Sequence, residues 1–362
     1  MKNTFGTSVA VTLFGESHGE YIGATVDGLA PGIEINHEYI SHMLTLRRPA
    51  GKISTARKEK DEYKIVSGIA NDRTTGTPIT VLIPNENVNG GDYAQMLTVA
   101  RPSHADYTAD CKYHGFQDTQ GGGHFSGRIT AALVAVGAIC KCALEQKGIY
   151  IGTHVKKCAG VSDREFADLT SDINTLNEKT FAVLDEASEE KMQKEILAAA
   201  SDGDSVGGIL ETAVIGMPKG VGEPWFDTVE GLLSHMIFSI PAVKGIEFGA
   251  GFALSDMRGS TANDPFKMED GKVVSTSNNN GGINGGITNG MPIIFRTAIK
   301  PTPTIFKQQN TIDFRSMSDV ILVPKGRHDP AIVHRARVVQ DAATAIVLCD
   351  ALALRYGTDW LK

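Results

Sequence analysis

Residues 101–130 read RPSHADYTADCKYHGFQDTQGGGHFSGRIT, and the run Ile129-Thr-Ala-Ala-Leu-Val-Ala-Val-Gly-Ala-Ile139 follows directly. A polar loop with His104, His114, His124 and a triple glycine, Gly121 to Gly123, thus feeds an apolar segment. That segment is apolar almost all round, which predicts a central buried helix over about 127–147, stopped by Gly148. Backbone amides at a helix N-terminus attract anions, and Arg101, Lys112 and Arg128 lie near in sequence. Histidines beside such a site can move protons near neutral pH.

Outward from this loop the chain mixes strands and helices. Residues 8–14 and 21–29 read as strands on either side of Gly15-Glu-Ser-His-Gly19. Residues 37–48 read as a helix capped by Asn36 and ending in Arg47-Arg48-Pro49. Residues 50–62, with Lys52, Arg57, Lys58 and Lys60, read as a basic surface loop. Further strands are predicted at 63–69, 79–83, 149–157, 207–216, 272–275 and 291–299, and helices at 187–200, 227–239 and 333–355. Residues 161–186 carry little pattern. There is no strict βαβ alternation, so the expected fold class is α+β rather than a doubly wound sheet. The 362 residues fit one large domain, 1–362, with two lobes meeting near 155–205.

Bulk composition narrows the function. A net charge of −7 argues against a nucleic-acid partner. The five cysteines form no C-x-x-C, which signals neither zinc nor a redox pair and fits a reducing cytosol. No run of 18 apolar residues and no apolar leader is present, so no membrane span and a cytoplasmic location are expected. P-loop, Rossmann and H-E-x-x-H patterns are absent. What stands out is Arg, Lys and His on glycine-rich loops, a composition suited to a small polyanionic substrate and a second phosphate-bearing ligand.

Individual motifs leave alternatives open. Gly15-Glu-Ser-His-Gly19 matches the G-x-S-x-G of serine hydrolases, but that elbow needs a helix after the turn and residues 20–29 read as a strand. His18 is then of more interest than Ser17. Arg47-Arg48 can complement a helix dipole or bind phosphate or carboxylate. His104 and Asp106, two apart, would share one side of an extended chain, where the carboxylate would orient the imidazole. Lys300-Pro-Thr-Pro-Thr304 is a stiff, hydroxyl-bearing segment, and Lys325-Gly-Arg-His-Asp-Pro330 gathers Arg, His and Asp before a helix.

Five motifs in order, Phe14-Gly-Glu-Ser-His-Gly19, Arg101-Pro-Ser-His-Ala-Asp-Tyr-Thr108, Gly121-Gly-Gly123, Ala242-Val-Lys-Gly-Ile-Glu247 and Gly326-Arg-His-Asp-Pro330, make the chain resemble chorismate synthase. The resemblance implies a β-α-β sandwich with a central buried helical layer. It also implies 1,4-trans elimination of phosphate from 5-enolpyruvylshikimate 3-phosphate, with reduced FMN required and the chain assembled as a homotetramer. On it, His18 and His104 resemble the family's acid histidines, and Asp329 the aspartate assisting deprotonation. Arg47, Arg48, Arg128 and Arg335 become candidates for the substrate anions. Flavin contacts fall on His124, Phe125, Ser126, Pro241, Ala242, Gly285, Lys300, Pro301, Thr302, Pro303, Thr304 and Arg327, and NADP contact on Arg47.

This chain departs from the family pattern in two places. Many members carry Arg, Ser and Glu where His124, Phe125 and Ile129 stand, and Asn where Pro241 stands. Contacts at 124 and 125 are therefore expected through backbone or stacking. With no reductase segment, reduced flavin is expected from an external reductant, with NADPH as the indirect source.

Overall fold

The computed structural model describes residues 2–49, 51, 53–55, 60–86, 98–324 and 328–362. The first sheet holds β1 (Thr4–Phe5), β2 (Ala10–Gly15), β3 (Tyr21–Asp27), β4 (Lys64–Ser67) and β5 (Ile79–Pro84), antiparallel in the order β1-β2-β3-β5-β4. The second holds β6 (Tyr150–Cys158), β7 (Val161–Ser162), β8 (Gly208–Ile215), β9 (Val243–Phe248) and β10 (Ile293–Ile299), antiparallel in the order β9-β10-β8-β6-β7. The helices are α1 (His37–Arg47), α2 (Asp106–Tyr113), α3 (Thr130–Gln146), α4 (Leu169–Glu178), α5 (Glu186–Ser201), α6 (Val229–Ile237) and α7 (Val333–Tyr356). The α+β expectation is met, with α3 against the first sheet, α7 against the second, and the two helices packed on each other between.

The central helix forms where the apolar run predicts it, after a 3-10 turn at Gly127–Ile129. Its apolarity would suffice for a membrane span, but 89% of its most apolar window is buried inside the fold. Gly137 is what lets α3 meet α7. A Cβ there would lie 2.5 Å from Ala342 Cβ and 2.8 Å from the Ala342 carbonyl oxygen. The longer α7 carries polar groups into the core, each with a partner. Asp341 accepts from Thr153 (2.6 Å), Gln340 donates to Thr212 (2.7 Å), and Asp350 accepts from the amides of Thr7, Ser8 and Val9. That last carboxylate ties the N-terminal strands to the helical layer.

Several sequence expectations need amendment. Residues 161–186, weakly patterned, contain α4, capped by Asp168 and packed on the outer face of the second sheet, where Ile173 covers Gly152. Strand β9 at 243–248 and the hairpin Gln309–Asp313/Ser318–Leu322 were not foreseen. Asp106 opens helix α2 instead of lying on an extended chain. The loop 50–62 is not wholly superficial, since Ile53 and Asp61 are buried.

Thr153 faces α7, so the next residue, His154, faces the other side of the sheet. There His154 lies buried between Asp163 (2.7 Å) and Glu211 (3.0 Å). Burial opposes its charge, but hydrogen bonds to the two carboxylates raise its pKa above the ordinary histidine value. Burial likewise opposes ionisation of Asp163 and Glu211, and the hydrogen bonds from His154 outweigh it and lower both.

Two predictions follow from these contacts. Gly137→Ala should lower stability by about 1–3 kcal/mol through overpacking, read as a fall in urea midpoint. The His154 contribution is complete below about pH 6.5 and is lost as pH rises through the raised folded value. The carboxylates' contribution is lost in acid, from about pH 4 downward. His154→Gln should cost about 3–5 kcal/mol at pH 6 and flatten the alkaline limb of a stability-pH curve.

Candidate active site

A cleft of about 840 Å³ opens over the first turns of both central helices. Thr130 and Leu133 of α3 and Arg335 and Ala336 of α7 line it, as do the end of α6, the loop 121–128 and the segments 241–244 and 300–304. Neither α3 nor α7 has a side-chain cap on its first turn. Two helix N-termini therefore face one cavity and bias it toward anions. Only the α3 end was expected from sequence.

The arginines converge at one end. Arg47, at the last turn of α1, and Arg128, in the 3-10 turn before α3, are buried and line the cleft with Arg335. Behind them lies Asp61, whose side chain has no solvent exposure. Arg47 donates to Asp61 Oδ2 (2.9 Å), Arg128 donates to Oδ1, and Arg48 Nε lies 3.8 Å from Oδ2. Although burial opposes it, Arg47 and Arg128 hold the Asp61 carboxyl below the usual carboxylate range. Arg128 also donates to Asn85 Oδ1 (2.9 Å) and to the Pro84 carbonyl (3.1 Å). Arg335 donates to Asp329 Oδ2 (2.7 Å) and, through Nε, to the Arg47 carbonyl (2.9 Å). Asp329 accepts in addition the Thr55 amide (2.9 Å). Arg48 does not reach the lining.

His104 lines the same cleft. Ser103 takes φ +58 and the His104 amide donates to the Arg101 carbonyl (3.0 Å), so a tight turn brings the ring to Asp106, 3.0 Å from Nδ1. Arg101 grips the same carboxylate through Nε (2.8 Å) and Nη2 (2.6 Å). Burial pushes the Asp106 pKa up, but the hydrogen bonds from Arg101 and His104 win and hold it far below the usual range. Asp106 stays ionised and accepts from Nδ1, which leaves Nε2 as the ring nitrogen not engaged by it.

His18 is placed differently. It packs under the triple glycine, with Nδ1 3.1 Å from Ser17 Oγ, and is not part of the cleft lining. A Cβ on Gly121, at φ +68, would lie 2.2 Å from the His18 ring. Gly123 needs its conformation too, at φ +51 and against the Asp118 carbonyl, whereas a Cβ on Gly122 would meet nothing nearer than 3.6 Å. Ser17 is buried, and the turn after it leads to strand β3, so the hydrolase elbow is missing.

Of the expected flavin contacts, His124, Phe125, Ser126, Pro241, Ala242, Lys300, Thr302, Pro303 and Thr304 line the cleft. Pro301 and Gly285 do not, and Arg327 lies outside the described residues. His124 donates from Nδ1 to the Gly15 carbonyl (2.8 Å), and Ser126 caps the Arg128 amide (3.2 Å). Among the described residues Thr302 Oγ1 is buried without a hydrogen-bond partner, and Ala242, also in the lining, holds φ +75. Among the described residues no cluster of His, Cys, Asp or Glu could hold a metal ion. Sequence reading missed Asp61, a lone acid between basic residues, and the place of Arg101. The only signal for Asp61 was its charge contrast within 50–62.

The profile of the family described as "Chorismate synthase" matches residues 9–353. The chain belongs to the chorismate synthase family. Chorismate synthase of Pyrococcus abyssi is 45% identical over 350 residues, covering 97% of both chains, and that of Thermococcus kodakarensis is 43% identical over the same length and coverage. A solved structure titled "Crystal Structure of Chorismate Synthase" superposes with a TM-score of 0.76 at 29% identity, covering 98% of this chain and 94% of that one. Chorismate synthase is a lyase of aromatic amino acid biosynthesis acting at the last step of the shikimate pathway, and its chemistry calls for a reduced flavin. The cleft fits such a group. Its volume is near the top of the usual ligand range of about 300–1,000 Å³, and it offers the unpartnered Thr302 hydroxyl beside Lys300 and Lys244.

Asp106→Asn should cut turnover about 10- to 100-fold, the scale of one lost hydrogen bond to a charged group. Flavin affinity, measured by fluorescence titration, should stay within about twofold, because no flavin-side contact is removed.

Proposed function

We propose that the cleft carries out the 1,4-elimination with reduced FMN beside 5-enolpyruvylshikimate 3-phosphate, its arginine end taking the substrate's anions. The observation that carries this reading is that Arg47, Arg128 and Arg335 line one cleft together with His104. The substrate bears a phosphate and two carboxylates, and guanidiniums match such oxygens in pairs. The reaction breaks the C–O bond to phosphate and a ring C–H bond and forms a new C=C bond.

His104, oriented through Nδ1 by Asp106, presents Nε2 as the acid that meets the ligand. His18, one layer behind Gly121, is the second proton-carrying ring. Asp329, with one oxygen held by Thr55 and the other by Arg335, assists removal of the ring hydrogen. Thr302, Lys300, Ser126 and the aromatic face of Phe125 would hold the flavin. The flavin supplies electron density to the cationic carbon that forms as phosphate leaves. The protein's share is to position both molecules and to stabilise the departing charge with arginines and helix N-termini.

Reduced FMN comes from outside the chain in this reading, with NADPH as a distant donor and Arg47 as the point of NADP contact. The working assembly is a homotetramer, as expected from the family. Anaerobic mixing of the pure protein with reduced FMN and the enolpyruvyl phosphate should release phosphate and raise a diene absorbance in equal amounts. No turnover would sink the reading. His104→Ala should lower kcat by roughly 10²–10⁴, and a change below about threefold would make His104 structural. Oxidised FMN with NADPH in air should release no phosphate.

A further inference from the structure

Nothing in the expected chemistry uses Asp61, yet the arginine end of the cleft is built on it. Its carboxylate is buried, is in contact with Arg47 and Arg128 and lies 3.8 Å from Arg48, and does not itself line the cavity. One acid therefore stands behind two cleft-lining guanidiniums. Among the described residues Arg47 Nε is buried with no hydrogen-bond partner. The Asp61 backbone takes φ +50, a left-handed conformation that a non-glycine residue adopts only when its surroundings require it.

We propose that Asp61 is a positioning residue for substrate binding, a buried carboxylate that fixes the spacing and direction of Arg47 and Arg128 before the anion arrives. The inference rests on reading those two arginines as ligands of the substrate's anions. Long guanidinium side chains of like charge repel and have many rotamers; left alone, they would be ordered only when the ligand binds. The two oxygens of Asp61 divide the work, with Oδ2 taking Arg47 and Oδ1 taking Arg128. The arginines are thus held as a pair, and Asn85 and Pro84 fix the remaining orientation of Arg128. Because Asp61 sits behind the guanidiniums, it orders them without competing for the ligand-facing donors.

The test uses the full chain, reduced FMN under anaerobic conditions and the enolpyruvyl phosphate. Asp61→Asn, which keeps the shape and removes the charge, should raise KM about 10- to 100-fold, since a misplacement near 1 Å costs up to about that factor. Its kcat should change less than KM, and its FMN affinity should stay within about twofold. Asp61→Glu keeps the charge but moves it by one methylene, and should give a KM between wild type and Asp61→Asn. If Asp61→Asn does not fold, Asp61→Glu decides alone, with a KM at least about fivefold above wild type expected. A wild-type KM in folded Asp61→Glu would show that charge alone matters and would overturn the proposal. So would an unchanged or lower KM in folded Asp61→Asn, the sign of a carboxylate that substrate must displace. Arg47→Ala and Arg128→Ala separate this from failure of the underlying reading. If they leave KM unchanged, the arginines are not substrate ligands; if they raise it while Asp61 variants bind normally, only the Asp61 inference falls.

Discussion

The close approach of α3 and α7 at Gly137 and Ala342 is the contact on which the structure depends. The Ala342 methyl fills the space opposite Gly137, and a second one on Gly137 would have no room. Because these helices touch, each can carry a sheet on its outer side, and the two first turns end beside each other. The cleft is a consequence of that pairing. Its anion preference begins with two helix N-terminal turns that line it before any side chain is counted.

Charge is then distributed by carboxylates in and behind the cleft lining. Asp61 orders Arg47 and Arg128, Asp106 orders Arg101 and His104, and Asp329 meets Arg335 at the edge. Each acid is gripped by at least one arginine. Fixed dipoles and charges cost no reorganisation when a ligand's charge develops, which is why such an arrangement suits departure of phosphate. The core uses a similar device for stability. Asp350 ties the N-terminal amides to α7, and His154 lies between Asp163 and Glu211 on the far side of the second sheet.

Much of this could be read from the chain. The apolar run after Ile129 gave the central helix, and the Asn36 cap and Arg47 gave both ends of α1. Hydrophobic alternation gave the main strands of both sheets, though not β9, which follows Pro241 and a left-handed Ala242. Helix α4 escaped because only Ile173 and Leu176 of its apolar residues are buried. His104 and Asp106 were paired correctly for the wrong reason. A turn through Ser103 and the start of α2 bring them together, where extended backbone was expected.

The sequence by itself determined which residue types the chemistry would have, the order in which they come, and the helix that would be buried. Those are local properties, set by side-chain type and period. Only the tertiary structure decided which of them share a wall. It put His104 in the cleft and His18 behind Gly121, kept Gly285 and Pro301 off the lining, and seated Asp61 among arginines from distant parts of the chain. Such neighbours are fixed by packing between elements, and no spacing along the chain encodes the angle at which two helices meet.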